Sequence, residues 1–287
     1  MVQMKIQLGE DSGHPHVPVM INGKGPFIFV LDTGASFTTI SKFLADELGI
    51  ETYEGEKREA RGAGGGKLAI KMARLERIDI GTLSRRNEEV GVIDRNPAFG
   101  SGRGRGNGVI GYNTLRNYRV SIHYDLLQLK LEESNNTDLH DSPEWIPFTY
   151  LMDSHLLGIP VHINGQGPID FILDTGSSGN IMTPTVAREL GIPNELPENR
   201  LEATGCSGGE CIGVGGRAMG YGVVVQSIKI GSAQQRDTMM GVIDLGVISP
   251  NGKKIDYGII GYPFLKEYEL IIDYPKKRIA LVNHKAS

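Results

Sequence analysis

This chain contains the same half twice. The octet Phe29-Val30-Leu31-Asp32-Thr33-Gly34-Ala35-Ser36 returns as Phe171-Ile172-Leu173-Asp174-Thr175-Gly176-Ser177-Ser178, 142 positions later. Each copy is an apolar run of strand character that delivers a carboxylate, then a Thr, then a Gly where the backbone must turn sharply. A buried strand ending in an ionisable group is unusual, because an unpaired buried carboxylate is costly and tends to keep its proton. Two such groups, one per half, could meet at a pseudo-twofold axis and share one proton.

The repeat extends well beyond the octet. Pro18-Val19-Met20-Ile21-Asn22-Gly23-Lys24-Gly25-Pro26 matches Pro160-Val161-His162-Ile163-Asn164-Gly165-Gln166-Gly167-Pro168 at the same offset. Asn-Gly between apolar runs is a strong hairpin signal, so a hairpin should feed each aspartate-bearing strand. A short helix is expected after each aspartate. Ser41 can cap the first, over 42–48 and ended by Gly49; Thr183 and Pro184 open the second, over 186–190 and ended by Gly191. Farther on the offset grows to 150, pairing Ile80-Gly81 with Ile230-Gly231, Gly91–Asp94 with Gly241–Asp244, and Val109-Ile110-Gly111-Tyr112 with Ile259-Ile260-Gly261-Tyr262. The extra residues of the second half are expected around Ile212–Tyr221, in the tip or returning arm of a hairpin. Glu132–Glu144 is polar and reads as a linker, which gives two homologous halves, 1–138 and 139–287.

Composition excludes several classes. At 287 residues the chain is long enough for two domains of ~150 residues. Its 39 glycines against 14 prolines favour a β protein rich in tight turns. A formal charge of −4 without a basic face argues against a nucleic-acid partner. No apolar stretch approaches the ~18 residues of a membrane span. Met1–Lys5 lacks the apolar core of a signal peptide. Gly62–Lys67 is not a phosphate-binding Walker loop, since Arg61 and Leu68 stand where that motif needs Gly and Ser or Thr. Gly100–Gly106 fails the dinucleotide spacing and reads as a flexible cationic loop. His14 and His16 lack partners at metal-ligand spacing and are expected to be solvated.

The string Asp-Thr-Gly-Ala/Ser after an apolar strand, with a later apolar-apolar-Gly run, resembles the aspartic proteases. Asp32-Thr33-Gly34-Ala35 and Ile110-Gly111-Tyr112-Asn113-Thr114-Leu115 resemble the retroviral-type, retropepsin-like branch; the fused duplication resembles pepsin. The resemblance covers both halves almost end to end. It implies an all-β fold with short helices, in which two β-barrel halves related by a pseudo-twofold enclose the active-site cleft. It further implies that Asp32 and Asp174 form the catalytic dyad, that Thr33 and Thr175 interlock across the axis, and that Gly34 and Gly176 offer their carbonyls to substrate. Gly111 and Gly261 would mark where a strand threads the aspartate loop. Flaps would lie around Gly62–Lys67 (Ala63, Gly64, Gly65) and Gly205–Cys211 (Cys206, Ser207, Gly208). Neither flap region carries the tyrosine of pepsin-like enzymes.

The chemistry follows from the residues. Aspartic proteases are the standard instance of two carboxyls ~3 Å apart sharing one proton, one serving as acid while the other deprotonates water. No metal or cofactor is needed. The residue after each Asp-Thr-Gly can donate a hydroxyl to its aspartate; Ser177 can do so for Asp174 and Ala35 cannot for Asp32. One missing donor raises the dyad's proton affinity, which places the expected optimum around pH 4 to 6.

Cys206 and Cys211 allow one disulfide. A two-residue turn at Gly208-Gly209 would set them opposite each other on a non-hydrogen-bonded rung, within bridging distance. A bridge implies an extracytoplasmic protein, periplasmic or secreted, whose signal peptide is absent from this sequence; two free thiols fit a reducing cytoplasm. The expected partners are a peptide or protein substrate and statine-type inhibitors, and one chain, as a monomer, should suffice. Two functional classes are open: an active aspartic endopeptidase, or a peptide-binding or scaffolding protein of the same fold with little or no turnover.

Overall fold

The computed structural model describes residues 2–10, 12–61, 67–94, 107–134, 143–192, 210–213, 216–246 and 256–283. Each half builds a closed six-stranded barrel. In the first, Pro15–Ile21, Lys24–Leu31, Gly108–Ile110, Thr39–Ser41, Leu83–Ile93 and Lys67–Ile80 follow one another round the ring, closed by the Val19–Ile80 pairing. In the second the order is Leu157–Ile163, Gln166–Leu173, Gly258–Ile260, Ile181–Met182, Ala233–Ile243 and Gly216–Ile230, closed at His162–Lys229. Alternation explains the inward faces: Val17, Val19 and Ile21 are fully buried, as are their counterparts Ile159, Val161 and Ile163.

The Asn-Gly signals are hairpin turns with both central residues at positive φ, 50° and 77° for Asn22-Gly23 and 52° and 78° for Asn164-Gly165. Each turn is also tied to the barrel's long hairpin. Asn22 Oδ1 accepts from Arg77 N at 3.0 Å, and Asn164 Oδ1 from Gln226 N at 2.7 Å. The first helix, Lys42–Leu48, is capped by Ser41 and ended by Gly49 at φ 67°. The second starts earlier than expected, at Pro184–Glu189, because Thr183 caps it and proline suits a first turn.

The halves are joined by a six-stranded antiparallel sheet, in the order Val2–Lys5, Gln128–Glu133, Tyr118–His123, Tyr268–Asp273, Arg278–Asn283, Ile146–Pro147. Three strands come from each half. At the seam Ser121 faces Ile271, the very residue that the 150-residue offset makes its equivalent, so the pseudo-twofold passes between them. A buried ion pair crosses the seam: Arg119 Nη2 lies 2.9 Å from Asp273 Oδ2, and Ser134 Oγ donates to Asp273 Oδ1 at 2.7 Å. The expected boundary at 138/139 and the central part of the linker lie outside the described residues, as does Gly100–Gly106.

Two expectations need correction. In the first half the hairpin Thr52–Arg61 with Lys67–Ile80 reverses after Arg61, which faces Lys67. In the second, Glu210–Gly213 pairs with Gly216–Met219, so the reversal falls between Gly213 and Gly216, not at Gly208-Gly209, and Cys211 faces Ala218. The returning arms already match at the 150-residue offset, Lys71 with Val92 as Tyr221 with Val242. The extra residues of the second half therefore precede Glu210 and are not at Ile212–Tyr221. Cys206, and with it the proposed bridge, lies outside the described residues.

Candidate active site

The strands Lys24–Leu31 and Gln166–Leu173 end in three buried apolar residues each, Phe29–Leu31 and Phe171–Leu173, and deliver Asp32 and Asp174 to the junction of the halves. Each aspartate is anchored through its own amide, which donates to Ile110 O at 3.1 Å or to Ile260 O at 3.0 Å. The two Asp-Thr-Gly turns then lock together. Thr33 Oγ1 donates to Leu173 O at 2.8 Å and accepts from Thr175 N at 3.0 Å. Thr175 Oγ1 donates to Leu31 O at 2.7 Å and accepts from Thr33 N at 3.1 Å. Both threonines are buried.

Glycine is required on either side of the axis. A Cβ on Gly34 would lie 2.7 Å from Asp174 Oδ2, and one on Gly176 would lie 2.5 Å from the carboxyl carbon of Asp32. Each glycine thus faces the other half's aspartate. Gly111 and Gly261 instead pass through the aspartate loop of their own half, where a Cβ would meet Phe37 backbone at 2.7 Å or Gly179 O at 2.4 Å. Their amides donate to Thr38 Oγ1 at 3.1 Å and Asn180 Oδ1 at 3.0 Å, buried polar residues that the sequence reading did not single out.

The two carboxyl groups come close enough to act on one another, and each is half-buried. Burial pushes both above the ordinary carboxylate range. For Asp32 this is opposed by the bond to Asp174 and by the Gly34 and Ala35 amides, which donate to Oδ1 at 2.8 and 3.0 Å. Asp174 is raised much further, first by burial and then by repulsion from Asp32; of the amides in its own turn only Gly176 donates to its side chain, at 2.8 Å. The two groups titrate as a pair.

Ser177 does not supply the expected hydroxyl. It donates to Gly179 O at 2.9 Å, since the turn's geometry presents that carbonyl to it, so Ala35 and Ser177 do not differ in the donor they offer the aspartates and the expected shift of the pH optimum loses its basis. His14 is not solvated: its Nε2 is enclosed, with no partner among the described residues, and burial followed by the nearby His16 lowers its pKa to about 4. Ala63, Gly64, Gly65, Cys206, Ser207 and Gly208 lie outside the described residues. Among the described residues no cluster of His, Cys, Asp and Glu could hold a metal ion, and no helix is long and apolar enough to cross a membrane.

Three residues near the dyad escaped the sequence reading. His155, from the second half, places Nε2 2.8 Å from Gly34 O. Tyr124 and Tyr274, equivalent at the 150-residue offset, are buried, and their hydroxyls are held protonated chiefly by burial. The repeat itself was the available signal for the tyrosines.

No curated protein matches this sequence. A family model described as Aspartyl protease matches residues 17–114 and 159–264, one match in each barrel and each containing an Asp-Thr-Gly turn. The chain belongs to the aspartyl protease family, whose substrates are peptides or proteins.

Proposed function

We propose that the protein is an aspartic endopeptidase acting on extended polypeptides, with Asp32 as base and Asp174 as acid. The observation that supports this reading is the pair of half-buried carboxyls, one from each half, brought together by the interlocked Asp-Thr-Gly turns and both raised in proton affinity by burial. Asp32 takes a proton from water as its oxygen adds to the peptide carbonyl, while Asp174 protonates the carbonyl oxygen. The proton on Asp32 then passes to the leaving nitrogen as the C–N bond breaks, while a hydroxyl of the tetrahedral diol returns its proton to Asp174, so the dyad again holds one proton. Gly34 and Gly176 let the peptide backbone approach, and the hairpins Thr52–Ile80 and Glu210–Ile230 cover it. The halves are read as retroviral-type units fused in the manner of pepsin. Because both carboxyls come from one chain, a monomer suffices, and specific activity should not fall on dilution. A statine-type inhibitor should bind with its secondary alcohol between the carboxyls.

The test is cleavage of a denatured protein by the wild type, Asp32→Asn and Asp174→Asn. Each variant should retain the fold and lose activity by about 10²- to 10⁴-fold, the usual contribution of a positioned acid or base. Substantial turnover by either variant would remove the shared-dyad mechanism.

A further inference from the structure

Resting on the peptidase reading, we infer that His155 makes the two sides of the dyad unequal toward substrate by occupying the Gly34 carbonyl, so that a bound peptide anchors its backbone on the Gly176 side. A carbonyl only accepts, so the 2.8 Å contact requires the proton to be on Nε2 of His155. The Gly176 carbonyl has no such donor among the described residues.

The repeat shows what is special here. At the 142-residue offset the equivalent of His155 is Gly13, and both follow an Asp-Ser pair, Asp11-Ser12 and Asp153-Ser154. The local turns are alike: Ser12 Oγ accepts from His14 N at 3.3 Å and Ser154 Oγ from Leu156 N at 3.1 Å. The side chains differ. A Cβ on Gly13 would lie 2.2 Å from the Tyr262 ring, which fills that space. The equivalent ring, Tyr112, stands 6.0 Å from the imidazole and is turned edge-on to Tyr150 at 5.7 Å. Where Gly13 leaves its space to a tyrosine ring, His155 packs beside one and reaches Gly34. Burial lowers the pKa of His155 and favours the neutral donor, against the smaller opposing effects of the Gly34 bond and the Asp32 carboxylate.

An extended peptide laid across the dyad presents backbone N–H groups to flanking carbonyls. At Gly176 such a bond forms freely; at Gly34 it must compete with His155. Replacing a substrate N–H by N-methyl should therefore matter on one side only. A cleavable peptide is methylated in turn at each backbone nitrogen flanking the scissile bond, and kcat/KM is measured for wild type, His155→Gln, which keeps a donor at the Nε2 position, and His155→Leu, which lacks one.

Wild type and His155→Gln should lose about five- to tenfold on methylation facing Gly176, the worth of one backbone hydrogen bond, and less than twofold on methylation facing Gly34. His155→Leu should become sensitive on both sides. Equal penalties on both sides in the wild type overturn the inference without any variant, and so does an unchanged pattern in folded His155→Leu. If the wild type cleaves no unmethylated peptide, the peptidase reading falls and this one with it, an outcome distinct from the other two.

Discussion

Replacing Thr33 by valine tests whether the crossed threonine hydroxyls hold the two halves together. Valine keeps the β-branch and nearly the volume, so no cavity opens and the change is polar alone. It strands two buried groups of the second half, the Leu173 carbonyl that loses a 2.8 Å donor and the Thr175 amide that loses a 3.0 Å acceptor. At about 1 to 3 kcal/mol for each buried group left unsatisfied, the loss is about 2 to 6 kcal/mol. That is a large share of the roughly 5 to 15 kcal/mol of a typical folded protein. The mirror change, Thr175→Val, strands Leu31 O and Thr33 N in near-identical geometry and should be similarly damaging. Thr33→Ser keeps the hydroxyl and should be milder than either. Urea unfolding at pH 7 measures all three as a lower midpoint at unchanged slope. A Thr33→Val unfolding free energy within about 0.5 kcal/mol of wild type, or serine as harmful as valine, would show that these hydrogen bonds do not join the halves; changes that small are ordinary for surface substitutions.

Two further outcomes follow from charge. Asp174 has a raised pKa in the fold, so its contribution to stability is complete below its ordinary value of 3.8 and is lost as pH rises through the raised one. Asp174→Asn should therefore match wild type near that lower limit and melt at a higher temperature than wild type at pH 8; thermal melts across the range check this, and a lower melting temperature at pH 8 contradicts it. Asp273 is the opposite case: burial alone would raise it, but Ser134 and Arg119 together bring it below its ordinary value, so its contribution is present above 3.8 and lost as pH falls through the lowered one. Arg119→Met leaves that carboxylate buried beside Ser134 and a more distant Arg278, at 3.7 Å, and should lose about 3 to 5 kcal/mol at pH 7. The deficit should shrink at pH 3, as read by denaturant midpoints.

What could be read from the sequence was whatever is local or repeated. The Asn-Gly turns, the Ser41 and Thr183 caps and the two Asp-Thr-Gly strands each carry their instruction within a few residues, and the structure builds them there. The second hairpin could not be read this way. Its segment offers Gly208-Gly209 and Gly213 to Gly216 as competing reversals, and glycine-rich strands specify register weakly. The register found is that of Glu210–Gly213 on Gly216–Met219, and the returning strand runs on from Gly220 in a long pairing with Ala233–Ile243 that no turn signal announces. Ser177 failed for a related reason: its identity permits a bond to Asp174, but the backbone at Gly179 offers a better-placed acceptor.

The differences between the copies are harder still, because a difference in residue need not be a difference in role. Thr38 and Asn180 are equivalent and chemically unlike, yet each presents one oxygen to the amide of a threading glycine, at 3.1 and 3.0 Å. The fold demands an acceptor there and either residue supplies it. Gly13 and His155 are equivalent too, but one yields its space to Tyr262 while the other sends a donor 121 residues back along the chain to Gly34. Side by side in the aligned repeat, the two substitutions look alike. Only the partner across the axis separates them, and that partner is fixed by how the barrels meet. Asymmetry in a duplicated cleft therefore has to be judged by which atoms each unmatched residue touches, and by that measure His155, bonded to the residue two beyond Asp32, is the change that reaches the candidate dyad.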